Sequence, residues 1–159
     1  MTDRSLLQTV GQPLMDMPVV TSAGEGRLSD FRGHALVLYF YPKDDTPGCT
    51  VEGKDFSAAH QAFLAADAQV VGVSRDSLAS HARFIQKHGL TINLISDPTE
   101  ALCESFGVMK LKNMYGKQVR GVERSTFLID AEGVLRREWR GVKVPGHVDE
   151  VLKAVRALG

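Results

Sequence analysis

The chain alternates between short unbroken apolar runs and longer stretches in which apolar residues recur every three or four positions. The first pattern is that of strands buried on both faces; the second is that of helices with one inward stripe. The strongest run, residues 34–41 (HALVLYFY), predicts a central strand, which Pro42 ends because it cannot donate to the ladder. Residues 69–74 (QVVGVS) and 92–96 predict two more buried strands. Between them, a helix from Cys49 or Thr50 to Ala66 carries a stripe of Phe56, Ala59, Phe63 and Ala66. A second, capped by Asp76 or Ser77 and running to His88, turns Leu78, Ala82 and Ile85 inward and stops at Gly89. Asp97 as N-cap with Pro98 at the first position opens a third, which carries Leu102, Cys103 and Phe106.

Residues 108–123 read as polar and irregular. Residues 125–129 and 134–139 flank Asp130-Ala131-Glu132-Gly133 and predict a hairpin. Residues 147–158 predict a closing helix with Val148, Val151, Leu152 and Val155 on one side. Residues 18–22 and 26–28 read as short lead-in strands, and 30–33 as a turn. Strands alternating with helices imply a parallel sheet covered on both faces, and the late hairpin makes that sheet mixed. The expected fold is α/β and thioredoxin-like, a central mixed β-sheet flanked by helices, with an N-terminal extension. One domain is expected over residues 1–159.

Lys plus Arg number 19 and Asp plus Glu number 19, so the chain lacks the basic field that nucleic acid or an anionic membrane attracts. No apolar run approaches the ~20 residues of a membrane helix. MTDRSLLQTV has no apolar core after a basic start, so no signal peptide is expected and the cytoplasm is the default compartment. With two cysteines, Cys49 and Cys103, a disulfide scaffold is excluded and reactivity becomes the question.

Cys49 follows a strand and a loop and begins a helix. The first turn of a helix has unpaired N–H groups and a partial positive charge, which favour a thiolate, the nucleophilic form of cysteine. Thr46 lies three residues earlier, with a hydroxyl able to accept and donate beside the sulfur, and Pro42 shields the sulfur without an N–H of its own. The segment YPKDDTPGCTVE resembles the active-site segment of the peroxiredoxins, nearest to the Q-type, or bacterioferritin-comigratory-protein, branch. LSDFRGHALVLYFYP, GVSRDS, HGLTINLISDP, RSTFLID and GHVDEVL resemble further landmarks of that branch, so the likeness covers nearly the whole chain.

The resemblance implies a thiol peroxidase that reduces hydroperoxides without a cofactor. It implies that Cys49 is the peroxidatic cysteine, with Thr46, Pro42 and Arg124 beside it and Glu52 placed to hold the arginine. It further implies recycling by a thiol such as thioredoxin, glutaredoxin or a small thiol, and a monomer or weak homodimer. Many Q-type relatives place a resolving cysteine five residues after the first, where this chain has Lys54, or on the next helix, which here has none. Cys103 is then either a small buried hydrophobe or a resolving thiol reached by local unfolding. No electropositive residue flanks it, which favours the first.

His34, His60, His81, His88 and His147 show no metal-binding spacing and read as surface or capping residues, so no metal site is expected. Asp44 and Asp45 read as solvated loop residues. A redox sensor or holdase on the same fold is the alternative to an enzyme. A disulfide oxidoreductase is disfavoured because the chain has no C-x-x-C.

Overall fold

The computed structural model describes residues 7–158. A hairpin of β1 (Pro18–Thr21) and β2 (Gly24–Arg27) leads through a 3₁₀ turn (Leu28–Phe31) into β3 (Ala35–Phe40). Next come α1 (Pro47–Ala58), α2 (His60–Ala65), β4 (Ala68–Ser74), α3 (Leu78–His88), β5 (Asn93–Ser96) and α4 (Ala101–Ser105). A second hairpin, β6 (Met109–Met114) and β7 (Lys117–Val122), precedes β8 (Ser125–Ile129), β9 (Leu135–Arg140) and α5 (His147–Ala157).

Seven strands form one sheet in the order β2-β1-β5-β4-β3-β8-β9. The inner strands β3, β4 and β5 are parallel, and the outer pairings are antiparallel. All six residues of β3 are buried, as an unbroken apolar run demands of a strand with layers on both faces. Its side chains alternate between two cores. Val37, Tyr39 and Tyr41 join Phe56 of α1, Phe63 of α2, Phe84 of α3 and Val151 of α5. Leu36, Leu38 and Phe40 join Leu102 and Cys103 of α4, Phe106 and Phe127 on the opposite face.

Gly72 shows how the sheet sets the first of these cores. A Cβ there would lie 2.8 Å from both Leu94 Cδ2 and Tyr39 Cζ, so the bare backbone of β4 makes room for the Tyr39 ring. That ring stacks on Phe56 at 4.5 Å between centroids and so fixes how α1 lies on β3. Burying Phe56 contributes on the order of 2–3 kcal/mol to that contact.

The elements depart from expectation in four places. The helix expected from Cys49 begins at Pro47 and is interrupted at Ala59 (φ −91°, ψ 1°), although the Ala59 N–H still donates to Asp55 O and the Phe63 N–H to Ala59 O. On α3 the fully buried residues are His81 and Phe84; Ile85 packs on the same core as expected, and Leu78 and Ala82 are exposed. The third helix does not start at Pro98. Residues 97–100 form a turn, and the Asp97 carboxylate reaches forward to accept the N–H groups of Leu102 (3.1 Å) and Cys103 (2.9 Å). Residues 109–122, expected to be irregular, form a regular hairpin. Tyr115 (φ 54°) and Gly116 (φ 79°) supply the two left-handed positions of its turn.

Candidate active site

Thr46 is the N-cap residue of α1, and Pro47 occupies the first position, where a missing N–H costs nothing. The first intrahelical bond runs from Thr50 N–H to Thr46 O at 2.8 Å. Gly48 and Cys49 therefore lie in the turn whose N–H groups precede the helical ladder. Cys49 is 2% exposed, with its sulfur facing the core shared by Tyr39, Tyr41 and Phe56. The Thr46 hydroxyl donates to the Lys43 carbonyl at 2.8 Å. Its proton is thus committed, and what it offers the sulfur's surroundings is acceptor capacity alone, narrower than the donor-and-acceptor role expected. Pro42 is half-buried at the start of the same loop.

Arg124 ends the segment after β7 and precedes the first residue of β8, and its carbonyl accepts the Val142 N–H at 2.9 Å. Its guanidinium donates from Nη1 to Glu52 Oε1 at 2.7 Å and from Nη2 to Cys49 Sγ at 3.4 Å. Glu52 lies one turn after Cys49 on the same face of α1 and is fully buried. Gly48 is part of this arrangement: a Cβ there would stand 3.0 Å from Arg124 Nη2, so a glycine gives the guanidinium its path to the sulfur. The chain thus brings Cys49, Glu52 and Arg124 together from two segments some seventy residues apart, while Thr46 is placed beside them only as the N-cap of the same helix.

Cys103 lies elsewhere. It is buried on the other face of the sheet, among Leu36, Phe40 and Phe106. Burial pushes its thiol far up, and the nearby Asp97 carboxylate adds to the effect. Among the described residues no three His, Cys, Asp or Glu side chains converge as a metal site. No helix among them is long and apolar enough to cross a membrane.

The profile of the AhpC/TSA family matches residues 10–138. The peroxiredoxin Bcp of Xanthomonas campestris pv. campestris is 54% identical over 143 residues, 89% of each chain. This chain belongs to the AhpC/TSA family of peroxiredoxins. Its activity is that of a thiol-dependent peroxidase, and its fold is thioredoxin-like. A cysteine-to-serine mutant of Xylella fastidiosa PrxQ matches with a TM-score of 0.90 at 44% identity, covering 95% of this chain and 97% of that one. The Xanthomonas campestris bacterioferritin comigratory protein, studied for alkyl peroxide reduction through trapped intermediate and ligand complexes, matches with a TM-score of 0.85 at 53% identity. There the match covers 89% of this chain and 91% of that one.

Burial and hydrogen bonding shift two acidic groups of this peroxiredoxin, and one of them was expected to be solvated. Asp44 is buried, not solvated: it accepts from Tyr41 OH (2.7 Å), Ser80 Oγ (2.8 Å) and His81 Nδ1 (2.8 Å). Burial works to raise its carboxyl, but these bonds, His81's first, outweigh it and hold the group below its ordinary value. His81 and His147 are likewise interior residues, the latter 2.8 Å from the Thr126 hydroxyl. Both histidines sit where a polar side chain reads as surface until its partner, distant in sequence, is known.

Glu52 is the other. Burial raises its carboxyl from 4.5 to about 7, against the pull of Arg124. The folded peroxiredoxin thus keeps a proton at Glu52 over a pH range in which the unfolded chain has lost it. The stability this contributes is complete below pH 4.5 and is lost as pH rises through about 7, on the order of 3 kcal/mol in all. Glu52→Gln keeps the shape and removes the titration. Urea unfolding at several pH values should show the wild type losing stability relative to the variant between roughly pH 5 and 8. Parallel pH profiles would refute a raised Glu52.

Proposed function

We propose that Cys49 attacks hydroperoxides, organic ones included, as the nucleophile of this peroxidase, and that an external thiol recycles it. The Cys49 thiolate attacks the terminal peroxide oxygen. A sulfur–oxygen bond forms, the oxygen–oxygen bond breaks, and the sulfur gives up two electrons to become a sulfenic acid. The leaving alkoxide or hydroxide takes a proton and departs as alcohol or water. The observation that carries this reading is the Arg124 guanidinium, which donates to Cys49 Sγ at 3.4 Å while Glu52 holds its other arm. A cation so placed meets the charge that spreads over both oxygens during the reaction. In this reading the Gly48 and Cys49 N–H groups assist, Thr46 accepts from the peroxide O–H, and Pro42 closes the loop over the sulfur.

Recycling by an outside thiol such as thioredoxin, glutaredoxin or a small thiol is supported by where the other residues lie. Lys54 is exposed and carries no sulfur, and Cys103 faces the opposite core across the sheet. Such a cycle suits a reducing compartment, the cytoplasm. A redox sensor needs only a reactive sulfur, so the Arg124–Glu52 pair set against that sulfur supports the enzyme over that alternative. The test is the protein's intact mass after one equivalent of peroxide, with dimedone as sulfenic-acid trap. One dimedone adduct on the Cys49 peptide is expected. Loss of two protons with a Cys49–Cys103 disulfide would overturn the external-thiol cycle.

A further inference from the structure

The segment joining β3 to α1 carries Pro42 and Thr46 and delivers the chain to the turn that holds Cys49. It is short and polar, yet a buried charge anchors its middle. Asp44 is 7% exposed and accepts from Tyr41, just after β3, and from Ser80 and His81 of α3. His81 is fully buried, and its second nitrogen, Nε2, lies 2.8 Å from the Ile95 carbonyl of β5. The ring thus bridges the Asp44 carboxylate and the Ile95 carbonyl, one through each nitrogen.

Two further ties run to the same side. The Asp44 N–H donates to Asp76 Oδ2 at 2.9 Å, and that oxygen also accepts from Ser74 Oγ at 2.6 Å. Asp45 adopts a left-handed backbone (φ 58°) that a non-glycine residue holds only when its surroundings fix it. Its carboxylate takes Lys87 Nζ and His88 Nε2, each at 2.7 Å, from the last turn of α3. These outer bonds are partly exposed, whereas the Asp44–His81 pair is shielded from water.

Resting on the reading of Cys49 as the peroxidatic nucleophile, we propose that His81, acting through Asp44, is a positioning residue of the peroxidase. It fastens the Pro42–Thr46 segment to α3 and β5, so that Thr46 and the first turn of α1 are aimed before peroxide arrives. The two half-reactions need this fastening unequally. Attack on peroxide needs Thr46, the helix start and Arg124 in register around a sulfur that is 2% exposed. Reduction by a thiol needs the oxidised sulfur brought to the surface, which a fastened loop opposes. Loosening the pair therefore slows oxidation and spares or speeds reduction.

The experiment compares His81→Asn and Asp44→Asn with wild type in two separate stopped-flow measurements. One follows oxidation of the reduced protein by hydrogen peroxide, the other reduction of the pre-oxidised protein by dithiothreitol. Folding is checked by circular dichroism and melting temperature. A fall in the oxidation rate constant of about tenfold or more is expected, because small misplacements near a reacting centre are costly. The dithiothreitol rate should stay unchanged or rise. A folded variant that oxidises like wild type, or that slows both steps in equal proportion, overturns the proposal. So does failure of both variants to fold, which would make the pair structural. Peroxide turnover surviving in Cys49→Ser would overturn the reading of the site instead, and is measured alongside.

Discussion

Peroxide turnover should fall on the order of a thousandfold or more, to the level of unassisted thiols in the assay, when Cys49 is replaced by serine. The substitution changes little else. Serine is close to cysteine in size, and its hydroxyl would face Arg124 Nη2, the donor that now meets Sγ at 3.4 Å, so no polar group is stranded in the core. An alcohol at this position stays protonated where a thiol ionises, and it has no accessible oxidation state to hold the peroxide oxygen. The loss is therefore chemical, and the melting temperature should barely move. Cys103→Ser is the counterpart. It puts a hydroxyl among Leu36, Phe40 and Phe106, so it should lower stability by about 1–3 kcal/mol and leave the rate of peroxide attack near wild type. Stopped-flow peroxide consumption by both variants reads the difference. Retained turnover in Cys49→Ser would remove the nucleophile from the scheme.

How far the sequence carries this far depends on the range of each interaction. β3 is legible because burial on both faces writes itself as an unbroken apolar run, and β4 shares that signature. Pro42, Thr46 and Cys49 are legible because a loop, an N-cap and a first turn are local in the chain. Arg124 is not: it is 75 residues from Cys49, and no pattern within the chain joins them, so only the likeness to a family pointed to it. Asp44 and His81 were misread for the same reason. A charged residue in a polar loop and a histidine on a helix look solvated until the fold sets them 2.8 Å apart. The hairpin of β6 and β7 escaped notice because both its faces are largely exposed, so no alternation of apolar residues marks it. Its turn residues Tyr115-Gly116 were the one local signal available. Cys103 is buried, as the first of its two readings requires, but which face it occupies is a property of strand pairing.

Arg124→Ala should lower the rate of attack on peroxide by about 10²–10³-fold, the usual cost of removing one preorganised donor from developing charge. The geometry makes this residue hard to replace. One planar guanidinium spans two partners at once, Nη1 to Glu52 at 2.7 Å and Nη2 to Cys49 at 3.4 Å. The charges on Glu52 and Cys49 outweigh the burial that works to lower it and keep Arg124 above its ordinary value, so it remains a cation throughout the cycle. Lysine is a single point charge on a flexible stem and can serve one partner but not both, so Arg124→Lys should fall between alanine and wild type. Stability should suffer less than activity. Glu52, which burial already raises to about 7, can take up a proton when its partner is gone, sparing the fold an unpaired buried charge. Arg124 is 17% exposed, so the space left by alanine opens to solvent, and added guanidinium ion should restore part of the lost rate. Single-turnover oxidation across the three proteins, with and without guanidinium, decides the matter. An alanine variant as fast as wild type would leave Cys49 as the nucleophile and assign its activation to the helix start alone.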